Sequence, residues 1–347
     1  MHHIFYHANC ADGFSAATLV RRALLSQGVH PDNLDCTAVN YGDTNQLPCG
    51  DNHLQPFDEI IYVDYTPPQH VLDTLVKILD GTLKLTILDH HEKAAPLHGY
   101  SFNDSTQLWE HLTPPPFNSV FNLAQSGAAL AWNYFWKRDA TDWDGQPAQM
   151  PYAVQVIQHR DLGFAFQQPL HPLTQDSLNL HAYLFRCLPR TFDAWEHVIN
   201  SNQGSLQNYE CAIGARIRVA DSAIIDAAVD RCHWLYFSHF LHDSQTPSLL
   251  VSPSALSRIP AVNGLDAGMI SDACQALLRA HPSAPFSASW FVNHRTGQIV
   301  YSLRSREPGH PDGHVNVSKI AAACSPGGGG HPCAAGFQTL LPIPFAS

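Results

Sequence analysis

The chain has 347 residues, 45% of them hydrophobic, which is enough for a substantial buried core and for two domains. Its net charge of −11 argues against a long binding surface for duplex nucleic acid, but it permits a short anionic substrate held by a few cations. Nine scattered cysteines favour reduced thiols over a disulfide framework. No apolar run reaches membrane-spanning length and no signal peptide is visible, so we expect a cytoplasmic protein without a membrane partner.

The first ninety residues alternate between patterns typical of strands and of helices. Strands are predicted at 3–7, 36–40, 59–64 and 85–89, and helices are predicted at 14–25 and 69–79. Such alternation is typical of βαβ units with right-handed crossovers. We therefore expect an α/β fold whose N-terminal part is an open parallel sheet flanked by helices.

The middle of the chain predicts a loop followed by helices. Residues 104–119 are polar and include three consecutive prolines, which indicates a surface loop. Helices are predicted at 126–137 and 152–157, and residues 191–234 are helical in pattern with few breakers. We expect an N-terminal domain over 1–190, joined by this helical connector to a second domain.

Strand signals return in the last third of the chain. Strands are predicted at 234–237, 248–251, 287–293 and 298–304, and helices are predicted at 271–280 and 317–323. Four glycines and His331 then precede a final apolar segment. These patterns predict a smaller C-terminal α/β domain over 235–347.

Several strands of the predicted parallel sheet end in acids and histidines. Asp89, His90 and His91 terminate the strand 85–89, His7 with Asp12 follows the first strand, and Asp64 ends the strand 59–64. A further acid, Asp161, follows a predicted helix. Because parallel strands bring their carboxyl ends to one edge, where such sheets bind ligands, we expect these groups to converge.

Converging carboxylates repel one another unless cations are present, so the pattern predicts two divalent metal ions. Asp64, alone at its strand end, is the candidate for a carboxylate shared by both ions. Mixed Asp and His ligands in an open site favour Mn²⁺, with Mg²⁺ and Co²⁺ as alternatives. Zn²⁺ is a further alternative, although it usually prefers four-coordinate sites. The simpler alternatives are that Asp64 caps a turn before Pro67 and that Asp12 caps the helix from Phe14.

The order of these motifs resembles the DHH phosphoesterase superfamily. Asp89, His90 and His91 after an apolar strand are similar to its signature, and the segment from His7 to Asp12, the strand-end Asp64 and Asp161 match its other motifs in order. The glycines 327–330 with His331, and Arg304 some two dozen residues earlier, resemble the DHH-associated C-terminal domain.

The resemblance implies a role for each matched residue. The implied metal ligands are His7, Asp12, Asp64, His90 and Asp161. His91 would face the scissile phosphate while Asp89 orients a histidine. Arg304, Gly329, Gly330 and His331 would bind substrate, the glycines by letting backbone N–H groups approach an anion.

Two positions depart from the family pattern. Cys10 stands where many members carry an aspartate, and a thiolate favours softer metals, which leaves occupancy of the first metal site open. His159 stands where related members often carry an acid, and it is either an auxiliary ligand or an exposed loop histidine.

Together these features predict a hydrolase that cleaves phosphodiester bonds in short single-stranded oligonucleotides or small nucleotides, using water activated by two metal ions. One alternative is a nucleotide phosphomonoesterase of the 3'-phosphoadenosine 5'-phosphate type. Another is a nucleotide-binding regulatory protein in which Cys10 has weakened catalysis. We expect no long duplex partner, and a homodimer is compatible with each alternative.

Overall fold

The computed structural model describes residues 1–40, 58–78, 84–103, 105–106, 108–136, 149–240, 258–294, 296–325, 327–340 and 343. The chain divides into two compact units, Met1–Gly214 and Ala215–Ser347. In the described ranges, every helix is too short or too polar to cross a bilayer.

The first unit is built on an all-parallel sheet. Its described strands are β1 His2–His7, β2 Leu34–Val39, β3 Glu59–Val63, β4 Lys84–Asp89, β5 Tyr100–Asn103, β6 Leu108–His111 and β7 Asn118–Phe121. Five of them pair in the order β2-β1-β3-β4-β7, every neighbour parallel, while β5 and β6 form a separate antiparallel pair.

Helices cover both faces of this sheet. The helices that begin in the first unit are α1 Ala11–Ser26, α2 Gln69–Ile78, α3 Gly127–Phe135, α4 Tyr152–Asp161, α5 Phe164–Gln167, α6 Thr174–Arg186, α7 Phe192–Asn200, α8 Gln203–Leu206 and α9 Ala212–Asp230. Successive strand residues alternate between the faces. Ile4 of β1 and Leu88 of β4 therefore pack on the side of α1 and α3, whereas Phe5 and Ile87 pack on the side of α2.

The predicted α/β class with a parallel N-terminal sheet is confirmed. The prediction of a loop over 104–119 is wrong in part, because β6 lies within it and β7 begins within it to form the fifth strand of the sheet. β7 is an edge strand whose residues stay partly exposed, so it lacks the apolar signal of a buried strand. Helix α1 begins at Ala11 rather than Phe14, which places Asp12 in its first turn.

The second unit contains a mixed sheet. Its described strands are β8 His233–Leu235, β9 Ile259–Asn263, β10 Phe286–Val292, β11 Ile299–Ser305, β12 Gly329–His331 and β13 Ala334–Thr339, in the order β12-β13-β11-β10-β9-β8. Helices α10 Ala267–Ala280 and α11 Val317–Cys324 also lie in this unit. Its core is lined by Phe237, Phe286, Tyr301 and Phe337. The strand predicted at 248–251 lies outside the described residues.

Candidate metal centre

The candidate site lies where the strand order of the parallel sheet reverses. From β1 the chain crosses to β2 on one side, and β3 is added on the other side of β1. The crossovers therefore diverge between β1 and β3, and the crevice at their carboxyl ends is the usual ligand position in open α/β sheets. His7 ends β1 and Asp64 follows β3, so both flank this crevice.

One cluster of candidate ligands consists of His7, Asp64 and His91. One ligand atom from each of these residues lies within 4.8 Å of the others. His7 Nδ1 is 3.5 Å from Asp64 Oδ2, and His91 Nδ1 is 3.9 Å from Asp64 Oδ1. The cluster combines the ends of three adjacent strands, as the parallel topology requires.

A second cluster consists of Asp12, His90 and Asp161, whose ligand atoms also lie within 4.8 Å of one another. His90 Nε2 is 3.8 Å from Asp12 Oδ2 and 3.5 Å from Asp161 Oδ2. Asp161 is the last residue of α4, so this candidate ligand comes from the end of a helix rather than the end of a strand. The five predicted metal ligands are thus brought together with His91.

The carboxylate of Asp64 lies between the two clusters. Its Oδ2 faces His7, while its Oδ1 is 2.9 Å from His90 Nε2 of the second cluster. Asp64 has a left-handed backbone with φ of 55°, which aspartate tolerates better than most residues. A Cβ on Gly127 would lie 2.5 Å from Asp64 Cβ, so only glycine permits α3 to approach this close. A carboxylate in this position would reach both clusters.

Asp12 does not cap the helix predicted from Phe14. Its carboxylate caps α3 instead. Its Oδ2 accepts a hydrogen bond from Gly127 N at 2.5 Å, and its Oδ1 accepts one from Ala128 N at 3.1 Å. These are the first two amides of α3, where the helix dipole stabilises a negative charge. Asp12 therefore links α1 to the N-terminus of α3.

Asp89 is fully buried and holds His91 in place. Its Oδ1 accepts hydrogen bonds from His91 Nδ1 at 2.7 Å and from the backbone amides of His90 and His91 at 2.7 and 3.2 Å. Burial opposes protonation of the His91 ring, but the Asp89 carboxylate outweighs that effect and raises the pKa of His91 to about 10. His91 Nδ1 therefore carries its proton toward Asp89, which fixes the orientation of the ring.

A chain of buried side chains supports Asp89 from behind. Thr66 Oγ1 donates to Asp89 Oδ2 at 2.5 Å and lies 2.8 Å from His98 Nε2, and His98 Nδ1 lies 2.6 Å from Ser119 Oγ. Burial lowers the pKa of His98, which favours the neutral ring. Because the single proton of Thr66 goes to the carboxylate, His98 Nε2–H must donate to Thr66, and Ser119 must donate to His98 Nδ1. This assigns the direction of every bond in the relay.

The three carboxylates of the centre have pKa values shifted in different directions. Burial and the carboxylates of Asp161 and Asp64 raise the pKa of Asp12 well above its usual value, and burial with Asp64 raises the pKa of Asp161 to about 7. Burial acts on Asp64 in the same direction, but the neighbouring imidazoles of His7 and His90 outweigh it and hold its pKa well below its usual value. The histidines offset only part of the negative charge of this centre.

The donor set fits divalent metal ions. Asp64 Oδ2 and Asp161 Oδ2 are buried oxygens without a hydrogen bond among the described residues. Buried carboxylate oxygens ordinarily have partners, so such oxygens next to imidazole nitrogens indicate cation ligands. Three carboxylates and three imidazoles in two clusters match ions that accept both oxygen and nitrogen, such as Mn²⁺ or Zn²⁺.

Neither of these two clusters includes Cys10 or His159. Burial, followed by the carboxylates of Asp64, Asp161 and Asp12, raises the pKa of the Cys10 thiol well above its usual value. His159 is buried within α4, its Nε2 is 3.1 Å from Thr174 Oγ1, and its ring stacks on His171. His159 is therefore not an exposed loop residue.

The predicted substrate residues of the second unit lie on the two strands that flank β13. Arg304 of β11 and His331 of β12 both pair with Ala334 of β13, from opposite sides, so they share one face of the sheet. The Arg304 guanidinium donates to Ser271 Oγ at 2.9 and 3.1 Å and to the Leu303 carbonyl at 2.8 Å. The register, which the sequence spacing did not reveal, leaves a single strand between Arg304 and His331.

Gly329 and Gly330 belong to β12 rather than to an irregular loop. Gly330 has φ of 140°, and a Cβ there would lie 2.5 Å from the Ala334 carbonyl oxygen. The close packing of β12 on β13 therefore requires glycine at this position. Binding of an anion by the backbone amides of Gly329 and Gly330 stays a prediction.

Sequence reasoning missed the residues that support the centre, namely Thr66, His98, Ser119 and Gly127. Thr66 lies between β3 and two prolines, where the local sequence gives no sign of a buried hydrogen-bond partner. His98 is one of 22 histidines, and nothing in its local sequence distinguishes it. The contacts of Thr66, His98 and Ser119 span 21 to 32 residues of chain, and that of Gly127 with Asp12 spans 115, so no local pattern encodes them.

Comparison with known proteins gives matches in structure alone. No protein-family model and no curated protein matches the sequence. Among solved structures, the DHH domain of a protein assigned to a family of ribosomal proteins is 12% identical, with 99% of this chain and 82% of that chain covered and a TM-score of 0.52. The pGpG-specific phosphodiesterase PggH from Vibrio cholerae is 10% identical, covering 97% and 92% at a TM-score of 0.44. The exonuclease RecJ bound to manganese is 15% identical, covering 97% and 85% at 0.43.

Proposed function

We propose that this chain, which has the fold of DHH-domain proteins, is a metal-dependent phosphoesterase that hydrolyses phosphodiester bonds in short single-stranded oligonucleotides or small nucleotides. One observation carries the proposal: two clusters of metal-ligand side chains face the two oxygens of a single buried carboxylate, Asp64. Such residues would hold two divalent ions, which is a common arrangement for phosphoester hydrolysis.

Each residue of the centre then has a defined task. His7 and Asp64 would hold one divalent ion, and Asp12, His90 and Asp161 would hold the second, with Asp64 shared. The bound ions would supply Lewis-acid polarisation of the phosphoryl oxygens and lower the pKa of water.

His91 is the proposed contact to the scissile phosphate. Its Nδ1 is held by Asp89, so the rest of the ring is presented in a fixed orientation beside His7 and His90. A cationic imidazole favours the negative charge that develops on a phosphoryl group in the transition state. His91 also stands within the first cluster, so a role as an additional metal ligand is the competing assignment for this residue.

For the second unit we propose that Arg304 and His331 bind phosphate, with Gly329 and Gly330 as amide donors. The shared face of Arg304 and His331 across β13 supports the pairing of a guanidinium and an imidazole for one anion. The net charge of −11 supports short substrates over long polymers, since it disfavours an extended phosphate backbone.

Substitution of the shared carboxylate tests the proposal. Asp64→Asn keeps the shape of the side chain but removes its charge, and we expect it to abolish stoichiometric Mn²⁺ binding in equilibrium dialysis. We expect hydrolysis of bis-p-nitrophenyl phosphate to fall by more than about 100-fold, because losing a first ligand exceeds the 10–100-fold typical of outer-shell partners. Asp176→Asn is the matched control, since Asp176 accepts hydrogen bonds from Tyr152 and Gln207 outside both clusters.

The outcomes separate the alternatives. Wild-type turnover by Asp64→Asn would refute the two-metal arrangement. Nucleotide binding without hydrolysis by the native chain, with any divalent ion, would favour the regulatory alternative. Release of inorganic phosphate from a bisphosphorylated nucleotide, with no cleavage of dinucleotides, would favour the phosphomonoesterase.

A further inference from the structure

A second concave feature lies beside the candidate metal centre, at the carboxyl end of β1. This aromatic pocket, of about 180 Å³, is lined by Tyr6, Phe14, Phe185, Arg190 and Trp195, together with residues 8–11. Drug-sized ligands occupy cavities of roughly 300–1,000 Å³, so this volume suits one planar ring system rather than a whole nucleotide.

The pocket is continuous along the chain with the metal ligands. Ala8 and Cys10, which line it, lie on either side of Asn9, directly after the ligand His7. Ala11 also lines it and directly precedes the ligand Asp12. A substrate group in this pocket would therefore contact the segment that joins the candidate ligands His7 and Asp12.

Aromatic rings form the apolar wall of the pocket. Phe14 contacts Tyr6 edge-on at 5.4 Å between centroids and Trp195 at 4.8 Å, while Phe192 stacks behind Phe14 at 4.9 Å. These contacts fix the rings, so the wall is preformed. Aromatic walls of this kind accept the flat face of a nucleobase, a contact worth about 1–3 kcal/mol per base in single-strand binding.

Two side chains that can only donate hydrogen bonds, those of Trp195 and Arg190, line the pocket. Trp195 is 3% exposed, and its Nε1–H, which can only donate, makes no hydrogen bond within the described residues. Arg190 is exposed, donates from Nη1 to Asn9 Oδ1 at 2.7 Å, and lies 5.6 Å from the Phe185 ring centroid. A buried indole N–H without a partner in the wall of a cavity is costly unless a ligand accepts from it.

We infer that the aromatic pocket is a subsite for the heterocyclic base of the substrate, resting on the proposed phosphoesterase function. The base packs against the aromatic wall, in which Tyr6 and Phe185 are the partly exposed rings, and presents hydrogen-bond acceptors to Arg190 and to Trp195 Nε1. Because both groups are donors, bases with acceptor edges are favoured. Examples are the carbonyls of thymine and uracil and the O6 and N7 edge of guanine.

Paired chromogenic esters test this inference with the full-length chain and Mn²⁺. Thymidine p-nitrophenyl phosphate, as its 5' and 3' isomers, carries a base, whereas methyl p-nitrophenyl phosphate has the same leaving group without one. Arg190→Met removes the guanidinium, and Trp195→Phe removes the N–H but keeps a ring. We expect either variant to lose about 10–100-fold in kcat/KM on a thymidine ester, the loss typical for a hydrogen bond from a charged or buried donor. The methyl ester should change by less than about twofold.

A neighbouring arginine is the matched control. Arg186 is exposed at the end of α6 and does not line the pocket, so Arg186→Met should leave both activities unchanged. Equal losses on both kinds of ester, or no loss on the thymidine esters, would overturn the base subsite while leaving the phosphoesterase proposal intact.

A different result identifies failure of the proposed function itself. If the native chain hydrolyses neither kind of ester, the phosphoesterase proposal fails, and calorimetry with thymidine 5'-monophosphate then tests the pocket alone. Binding by the native chain that Arg190→Met abolishes would support the base subsite. Absence of binding, or binding that Arg190→Met leaves unchanged, would overturn it.

Discussion

Thr66→Val removes the central hydroxyl of the relay behind Asp89 while keeping the shape of the side chain. In the native chain this hydroxyl donates to the Asp89 carboxylate and accepts from His98 Nε2–H, and all three residues are buried. The substitution therefore takes a donor from a buried charge and leaves a buried imidazole N–H without an acceptor. Both effects disfavour the folded state.

The size of the effect follows from these two losses. A hydrogen bond to a charged group is worth about 1.5–3 kcal/mol, and an unsatisfied buried donor costs about 1–3 kcal/mol. Energy losses at groups that contact each other do not simply add, so we expect the free energy of unfolding to fall by about 3 kcal/mol. For a unit of this size each kcal/mol shifts Tm by about 2–4 °C, which gives a decrease of about 6–12 °C.

The assay is thermal unfolding followed by circular dichroism with EDTA present, so that metal binding contributes nothing. Thr18→Val is the matched control, because the buried Thr18 hydroxyl donates only to the Phe14 carbonyl within its own helix. In the metal-loaded protein, kcat for Thr66→Val should also fall by about 10–100-fold. Asp89 orients His91 and loses a hydrogen bond in this variant, and losses of this size are typical for groups that orient a histidine. A Tm change for Thr66→Val no larger than that of Thr18→Val would refute the relay, and Thr66→Ser should restore both properties.

Two further substitutions test the close packing of the metal centre and the proposed phosphate contact. Gly127→Ala places a Cβ 2.5 Å from Asp64 Cβ, so we expect weaker Mn²⁺ binding by dialysis and a loss of about 1–3 kcal/mol in unfolding free energy. Gly204→Ala, whose nearest contact is 3.6 Å, should show neither effect, and native Mn²⁺ affinity in Gly127→Ala would contradict the geometry. Arg304→Ala should raise KM by about tenfold or more, whereas Ser271→Ala removes only an acceptor of that guanidinium and should leave KM near native. An unchanged KM and kcat in Arg304→Ala would remove this residue from substrate binding.

The sequence by itself determined the strands of the parallel sheet and the ligands at their ends. Continuous buried runs in β1, β3 and β4 fill both faces of the sheet, and the polar residues that follow each strand have no place in either face. Since parallel strands share one carboxyl edge, His7, Asp64 and His90 had to converge. The resemblance to DHH proteins rests on local motifs of the sequence, and a solved DHH domain has a similar fold.

Other features were beyond local pattern. The edge strand β7 contains no run of buried residues. Helix α1 begins at Ala11, shortly after β1 ends, and apolar periodicity does not mark this boundary. Sequence also could not show that Asp12 caps α3, since its partners lie 115 and 116 residues away.

Only the tertiary structure decided how the ligands divide and what supports them. Asp64 lies between the two clusters because its left-handed backbone and the close approach of Gly127 aim its two oxygens at different histidines. The relay through Thr66 and His98, and the donors of Arg190 and Trp195 in the aromatic pocket, likewise arise from residues far apart in the chain. Local sequence specifies which side chains a strand presents, but hydrogen-bond partners and cavities depend on packing between elements, which is set only when the whole unit folds.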